Sequence, residues 1–210
     1  MTSSLILASA SPRRRDLLSA LGLHFLCVPA HVDESARAEE PPEALVRRLS
    51  LAKAQAILQA FPQAAVLGAD TIVALDGAVL GKPATPAEAV SMLKALRGRA
   101  HEVLSAVSLC QGDDPPRQRL SRSQVWMRAY SDQDILEYVA SGDPMDKAGA
   151  YAIQHAGFHP AARWEGCYAG VVGFPLRDVA ALLTSAGWPA FTQVGAICRG
   201  ITGAVCCGGA

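Results

Sequence analysis

Ala65-Val66-Leu67-Gly68-Ala69-Asp70-Thr71-Ile72-Val73-Ala74-Leu75-Asp76-Gly77-Ala78-Val79-Leu80-Gly81 is the stretch whose reading decides the fold. Ala65 to Leu75 is apolar except for Asp70 and Thr71, the pattern of a buried strand. Asp76-Gly77 is a two-residue hairpin turn, because both central positions of such a turn need positive φ and Asp and Gly supply it. Ala78 to Gly81 then returns antiparallel. Elsewhere helices and strands alternate, which favours parallel strands. A hairpin inside that alternation predicts an α/β protein with a mixed twisted sheet flanked by helices.

Outward from the hairpin, local signals place the other elements. Leu5 to Ala8 is a short apolar run and a candidate strand. Ser11-Pro12 opens a helix to about Leu21, with Ser11 as N-cap and Pro12 at the first helical position. A second strand is expected over His24 to Val28. Pro41-Pro42 opens a longer helix to about Ala60, whose Leu45, Leu49, Ala52 and Ala56 share one face. Thr85-Pro86-Ala87-Glu88 reads as a capping box for a helix that ends near Gly98. His101 to Cys110 and Arg119 to Ala129 read as strands, and Ser131 caps a helix to about Ser141. Tyr151 to Gln154 and Ala161 to Trp164 are weaker strand candidates. Pro175 starts a last helix that Gly187 ends. Residues 1–187 read as one α/β domain, with two lobes around a cleft as one form of it. Residues 188–210, rich in Gly, Ala and Cys, read as a tail of uncertain order.

Composition narrows the function classes. Half of the 210 residues are hydrophobic and 18% are charged, which excludes a disordered chain. Nineteen basic and nineteen acidic side chains cancel, which argues against a general nucleic-acid surface but leaves room for a local basic pocket. No apolar run reaches the roughly 18 residues that span a bilayer, and no signal peptide is visible at the N-terminus. A soluble cytoplasmic protein with no membrane or nucleic-acid partner is expected. The six cysteines, Cys27, Cys110, Cys167, Cys198, Cys206 and Cys207, form no Cys-x-x-Cys pair and are read as reduced.

Four short motifs carry chemistry. Ser9-Ala10-Ser11-Pro12-Arg13-Arg14-Arg15 puts three arginines at a helix start, where the helix dipole already favours an anion. A phosphate between them reconciles both; a solvated basic turn paired with Asp16, Asp33 or Glu34 is the plain alternative. Asp70 lies where burial is predicted, and a buried carboxylate needs a partner, a metal or a task. Simple alternation puts Asp70 and Lys82 on opposite faces, so sharing a site requires a bulge or a strand end near Gly81-Lys82-Pro83. Lys53 lies at the edge of an apolar stripe and is expected to snorkel to water unless a phosphate is near. Asp143 to Gln154 is a loop whose Ala148 and Gly149 allow close approach to a ligand, and Gln154 can both donate and accept towards a base edge. His155 and His159 are not expected to form a metal pair, because Gly157 and Pro160 argue against a helix there.

In this order the motifs resemble those of the Maf family, nucleoside triphosphate pyrophosphatases of the ITPase-like fold. The matching pieces are Leu7-Ala8-Ser9-Ala10-Ser11-Pro12-Arg13-Arg14, Lys53-Ala54, Leu67-Gly68-Ala69-Asp70-Thr71, Leu80-Gly81-Lys82-Pro83, Asp146-Lys147-Ala148-Gly149-Ala150-Tyr151 and Val172-Gly173-Phe174-Pro175-Leu176. Matching order and spacing extend from about Leu5 to Leu183. The resemblance implies hydrolysis of a nucleoside triphosphate to the monophosphate and pyrophosphate with Mg²⁺ or Mn²⁺, and enzymes of this kind are often homodimers. It implies Asp70 as general base, Ser9, Arg13, Arg14, Lys53 and Lys82 as phosphate-binding residues, and Glu34 and Asp70 nearest the metal. Arg13, Thr71 and Gln154 match the branch that prefers dTTP and UTP over 7-methyl-GTP. Val125-Trp126-Met127-Arg128 departs from the family pattern, and the segment after Trp188 has no counterpart in it. A modified-purine pyrophosphatase and a non-enzymatic regulator of cell division are the rival readings.

Overall fold

A computed structural model describes residues 4–204. Its centre is one seven-stranded mixed sheet. Strand β1 (Leu5–Leu7) leads into α1 (Pro12–Ser19), which returns to β2 (Phe25–Cys27). Both β2 and β3 (Ala65–Leu75) run parallel to β1, which lies between them. Helix α2 (Pro42–Ala60) makes the crossover to β3. The hairpin then closes as its turn residues dictate. Asp76 and Gly77 both have positive φ, and Leu75 faces Ala78 on β4 (Ala78–Leu80).

The pairing of β3 with β4 stops at Val73 opposite Leu80. Lys82 therefore leaves the ladder, so strand alternation no longer fixes its side. Helix α3 (Pro86–Leu96) follows, and Thr85 caps it by accepting from the Glu88 amide. The Glu88 carboxylate returns to the Ala84 amide, one residue before the position a strict capping box uses. Strands β5 (Ala100–Gln111) and β6 (Arg117–Met127) extend the sheet antiparallel, and α4 (Asp132–Ala140) is closed by a full Ser131–Asp134 capping box.

Beyond α4 the chain differs from the sequence reading. Tyr151 to Gln154 is not a strand. Two 3₁₀ turns, Asp143–Asp146 and Ala148–Ala150, precede it, and the Ala152 amide goes to the Tyr138 hydroxyl instead of a ladder. The edge strand β7 (Ala161–Glu165) is followed by the short helix α5 (Tyr168–Val172), for which no helix is expected from the local signals. Helix α6 (Leu176–Ser185) covers the sheet. The segment after Trp188 also contains regular structure, α7 (Val194–Thr202), which buries Cys198. Trp188, Phe191, Val194 and Ile197 pack on the core around β1, α1 and α6, and that burial orders a segment with little helix propensity of its own. Cys206 and Cys207 lie outside the described residues. Cys27 and Cys110 are free thiols.

One contact sets the spacing of α2 against β3. A Cβ built on Gly68 would lie 2.2 Å from the Ser50 carbonyl oxygen and 2.7 Å from the Ala54 nitrogen. Only glycine lets the backbone of α2 come this close to β3. Lys53 directly precedes Ala54 on α2, and two places along β3 from Gly68 is Asp70.

Candidate active site

A cleft of about 670 Å³ opens where α1, α2, β3, the segment after β4 and the 3₁₀ loop meet. That volume lies in the range of small-molecule sites. Its floor is Asp70 on β3. Helix α2 lies against β3 at Gly68, and Lys53 does not snorkel to water but turns into the cleft: Lys53 and Asp70 are each 7% exposed. The Lys53 ammonium bridges two carboxylates, 2.6 Å from Asp70 Oδ1 and 2.6 Å from Glu34 Oε1. An ammonium has three N–H groups. Two are spent here, and no acceptor among the described residues takes the third. Asp70 Oδ2 likewise accepts nothing from the described residues. Burial works against the Glu34 carboxylate, but Lys53, with Lys82 and Arg14, outweighs it and holds its pKa below the usual carboxylate range.

The three arginines at the helix start divide. Arg15 turns to its neighbour Asp16 at 3.3 Å. Arg13 lines the cleft and reaches Asp146 at 3.9 Å, across from α1. Arg14 turns inward. Its Nε donates to the Gly173 carbonyl (3.0 Å) and its Nη1 to the Ala69 carbonyl (2.8 Å), with Nη2 3.5 Å from Thr71 Oγ1. Burial pushes its pKa below the ordinary guanidinium value, and the nearby Asp70 and Glu34 charges oppose that. Arg14 thus ties the backbone on the near side of Asp70 to the wall at Gly173, while its charge still faces the cleft.

Ser9 is buried, and its hydroxyl accepts from the Ser11 amide, which shapes the loop before α1. Ser9, Arg13, Arg14, Glu34, Lys53, Asp70, Thr71, Lys82 and Gln154 all line the same cleft, although they come from distant parts of the chain. Gln154 is exposed at its rim. The 3₁₀ loop is held by Gly149, whose amide donates to the Gly81 carbonyl (3.0 Å) with φ +68°. That bond places the loop beside Lys82.

The sequence reading missed Lys147 as an interior residue. It is 8% exposed, and its ammonium donates to Asp143 Oδ1, Asp146 Oδ1 and the Asp143 carbonyl. His155 Nδ1 accepts from the Phe158 amide, and the His159 backbone carbonyl accepts from Arg128.

A divalent cation can be tested against these donors. Among the described residues there is no cluster of three or more His, Cys, Asp or Glu side chains fit to hold a metal alone. Mg²⁺ and Mn²⁺ need less than that when a triphosphate is present, because Mg²⁺ is commonly held by one or two carboxylates plus phosphate oxygens and water. Glu34 and Asp70, two oxygen ligands drawn to one point by Lys53, fit that requirement.

Under the cleft lies a buried histidine. His101 Nε2 is 2.7 Å from the hydroxyl of Tyr151, a cleft-lining residue, and His101 Nδ1 has no partner among the described residues. Burial alone lowers the His101 pKa from 6.5 to about 4. The unfolded chain then binds a proton that the folded chain refuses. Stability from this group is full above about pH 6.5 and is lost as pH falls towards 4, at most about 3 kcal/mol. Urea unfolding at pH 7 and pH 4 should show a steeper fall for the wild type than for His101→Gln. Equal falls would refute a neutral buried imidazole.

The mixed sheet flanked by helices places the chain in a class of α/β folds, the ITPase-like fold. Two solved structures share it: a HAM1 protein from Coxiella burnetii (TM-score 0.50, 16% identity, 88% of this chain and 100% of that one) and the Staphylococcus aureus Ham1 protein (TM-score 0.50, 14% identity, 87% and 97%). Within that class the chain belongs to the Maf-like protein family, whose profile matches residues 4–186. It is 45% identical over 188 residues to a dTTP/UTP pyrophosphatase of Syntrophus aciditrophicus, covering 89% of this chain and 92% of the relative. It is 48% identical over 186 residues to a dTTP/UTP pyrophosphatase of Moorella thermoacetica, covering 88% and 96%. Helix α7 lies beyond the matched residues.

Proposed function

We propose that this chain is a nucleoside triphosphate pyrophosphatase that hydrolyses dTTP and UTP to the monophosphate and pyrophosphate. The observation that carries the reading is the Lys53 bridge. One ammonium holds two carboxylates at the floor of a cleft whose rim supplies Arg13 and Lys82. A triphosphate brings about four negative charges, so positioning and charge neutralisation should dominate catalysis. Arg13, Lys82, the free N–H of Lys53 and the start of α1 would bind the phosphate oxygens.

Asp70 would accept the proton of a water through Oδ2 while Lys53 holds Oδ1. The water oxygen bonds to the α-phosphorus, the bond from that phosphorus to the bridging oxygen breaks, and pyrophosphate leaves. Mg²⁺ or Mn²⁺, held by Glu34, Asp70 and the triphosphate, would supply further neutralisation of phosphate charge. Gln154 and Thr71, on the less charged side of the cleft, would face the base, with Arg13 between base and phosphates.

No helix among the described residues is long and apolar enough to cross a membrane, and a cytoplasmic place suits a nucleotide substrate. Pyrophosphate release should be measured from dTTP, UTP, CTP and 7-methyl-GTP at equal concentration, with and without chelator. Fastest release from dTTP and UTP, abolished by the chelator, is the expected result. Preference for the methylated purine would overturn the substrate assignment. Absence of release from every nucleotide would favour a non-catalytic binding role.

A further inference from the structure

We infer that Arg48, a residue outside the cleft lining, is a positioning residue for Glu34: with Glu40 it clasps the loop between β2 and α2 so that the Glu34 carboxylate meets Lys53. Its consequence for activity rests on the pyrophosphatase reading above. Residues 28–41 contain no helix or strand, and Glu34 lies near their middle with exposed neighbours on both sides. A loop of this length has many conformations, so holding one acid in place takes contacts beyond the acid itself.

Helix α2 supplies two anchors. Lys53 takes the Glu34 side chain at 2.6 Å. Arg48 lies five residues earlier, about 7.5 Å away along the helix axis. It takes the backbone next to Glu34: Arg48 Nη2 donates to the Ser35 carbonyl at 2.9 Å. The same guanidinium grips Glu40 with both arms, Nε to Oε1 and Nη2 to Oε2, each at 2.7 Å. Glu40 Oε2 also accepts from the Arg37 amide at 3.0 Å. Asp33 Oδ1 accepts from the Ser35 amide at 2.9 Å, so Glu34 sits at the tip of a turn whose next carbonyl Arg48 holds.

An ordinary surface ion pair adds little, because two long side chains must be ordered in water. The Arg48–Glu40 pair differs in geometry and in place. It is a fork with two parallel bonds, and its side chains are only 21% and 9% exposed. It also fastens the loop to the helix that carries Lys53, so the two partners of the Glu34 ion pair move together. Neither Arg48 nor Glu40 lines the cleft, and their route to the chemistry is through Glu34.

Arg48→Met keeps the stem of the side chain and removes its donors. Hydrogen exchange at the Ser35 and Arg37 amides should speed up at least about tenfold, while amides in the middle of α2 keep their rates. For UTP, kcat should fall about tenfold, the scale of a slightly misplaced group, with KM within about threefold because Arg13 and Lys82 lie outside this loop. Glu40→Gln weakens the clasp from its other side and should move both readouts the same way, less far. In a Glu34→Gln background, Arg48→Met should lower kcat no further, whereas general structural damage would add its cost there too. Unchanged exchange at Ser35 and Arg37 in both variants would overturn the inference. So would normal kcat in Glu34→Gln, or an undiminished cost of Arg48→Met in that background. A wild type that releases no pyrophosphate would overturn the function reading alone, and the exchange rates would still decide the clasp.

Discussion

Asp70→Asn should reduce pyrophosphate release at least about a hundredfold, the usual scale for losing a general base, while the chain still folds. Asparagine keeps the shape of the side chain. Its carbonyl oxygen can still accept from Lys53, which in the wild type lies 2.6 Å from Asp70 Oδ1. Lys53 also keeps Glu34 at 2.6 Å, so the ammonium is not left alone in the interior. The cost in stability should therefore be on the order of 1–2 kcal/mol, less than for breaking an isolated buried pair. What the substitution removes is the basic oxygen that no protein group among the described residues occupies. Urea unfolding and rate measurements on the same preparation separate the two effects. Unchanged turnover would dismiss Asp70 as the base, and a variant that failed to fold would assign it to the core.

The sequence was legible where local chemistry decides. The Ala65–Leu75 strand, the Asp76-Gly77 turn and the Pro42–Ala60 helix are each written in neighbouring residues, and the structure has all three. Where contacts between distant segments decide, local reading fell short. Helix α5 has only five residues and begins after Cys167, whose sulfur accepts from the Gly170 amide; no common capping residue marks it. Lys53 has a polar side chain at the edge of an apolar stripe, which locally means solvent. Its burial follows from Gly68 on another element, and only the pairing of α2 with β3 reveals it.

The site shows the same division. Asp70 was conspicuous as a carboxylate in an apolar strand. Ser105 and Ser108, two hydroxyls in the strand read over His101 to Cys110, are not singled out, and both prove buried and hydrogen-bonded. The arginine run suggested one shared task, but the structure gives its members three different partners. A residue's type could be read for chemistry; its direction needed the fold.

Lys53→Met should be the most damaging change to the cleft, in stability as well as in rate. Methionine fills similar space, so loss of packing is small. Two carboxylates remain, though, and the one on β3 is almost sealed from water. Removing one member of a buried ion pair typically costs about 3–5 kcal/mol. Glu34 is half exposed and can turn to solvent, which sets the expectation near the lower end, about 3 kcal/mol. Losing a cation aimed at phosphate charge should also lower kcat by about 10²–10³. Lys53→Arg should rescue only in part, because a planar guanidinium presents its donors in a fixed fork and does not reproduce the two 2.6 Å contacts of a compact ammonium. The decisive measurement is a double-mutant cycle. Glu34→Gln in the Lys53→Met background removes one of two like charges and should restore part of the lost stability, whereas Glu34→Gln alone should be mildly destabilising. Additive losses would mean that Lys53 does not couple the two acids. A stable Lys53→Met protein with normal turnover would mean that the bridge serves neither the fold nor the chemistry.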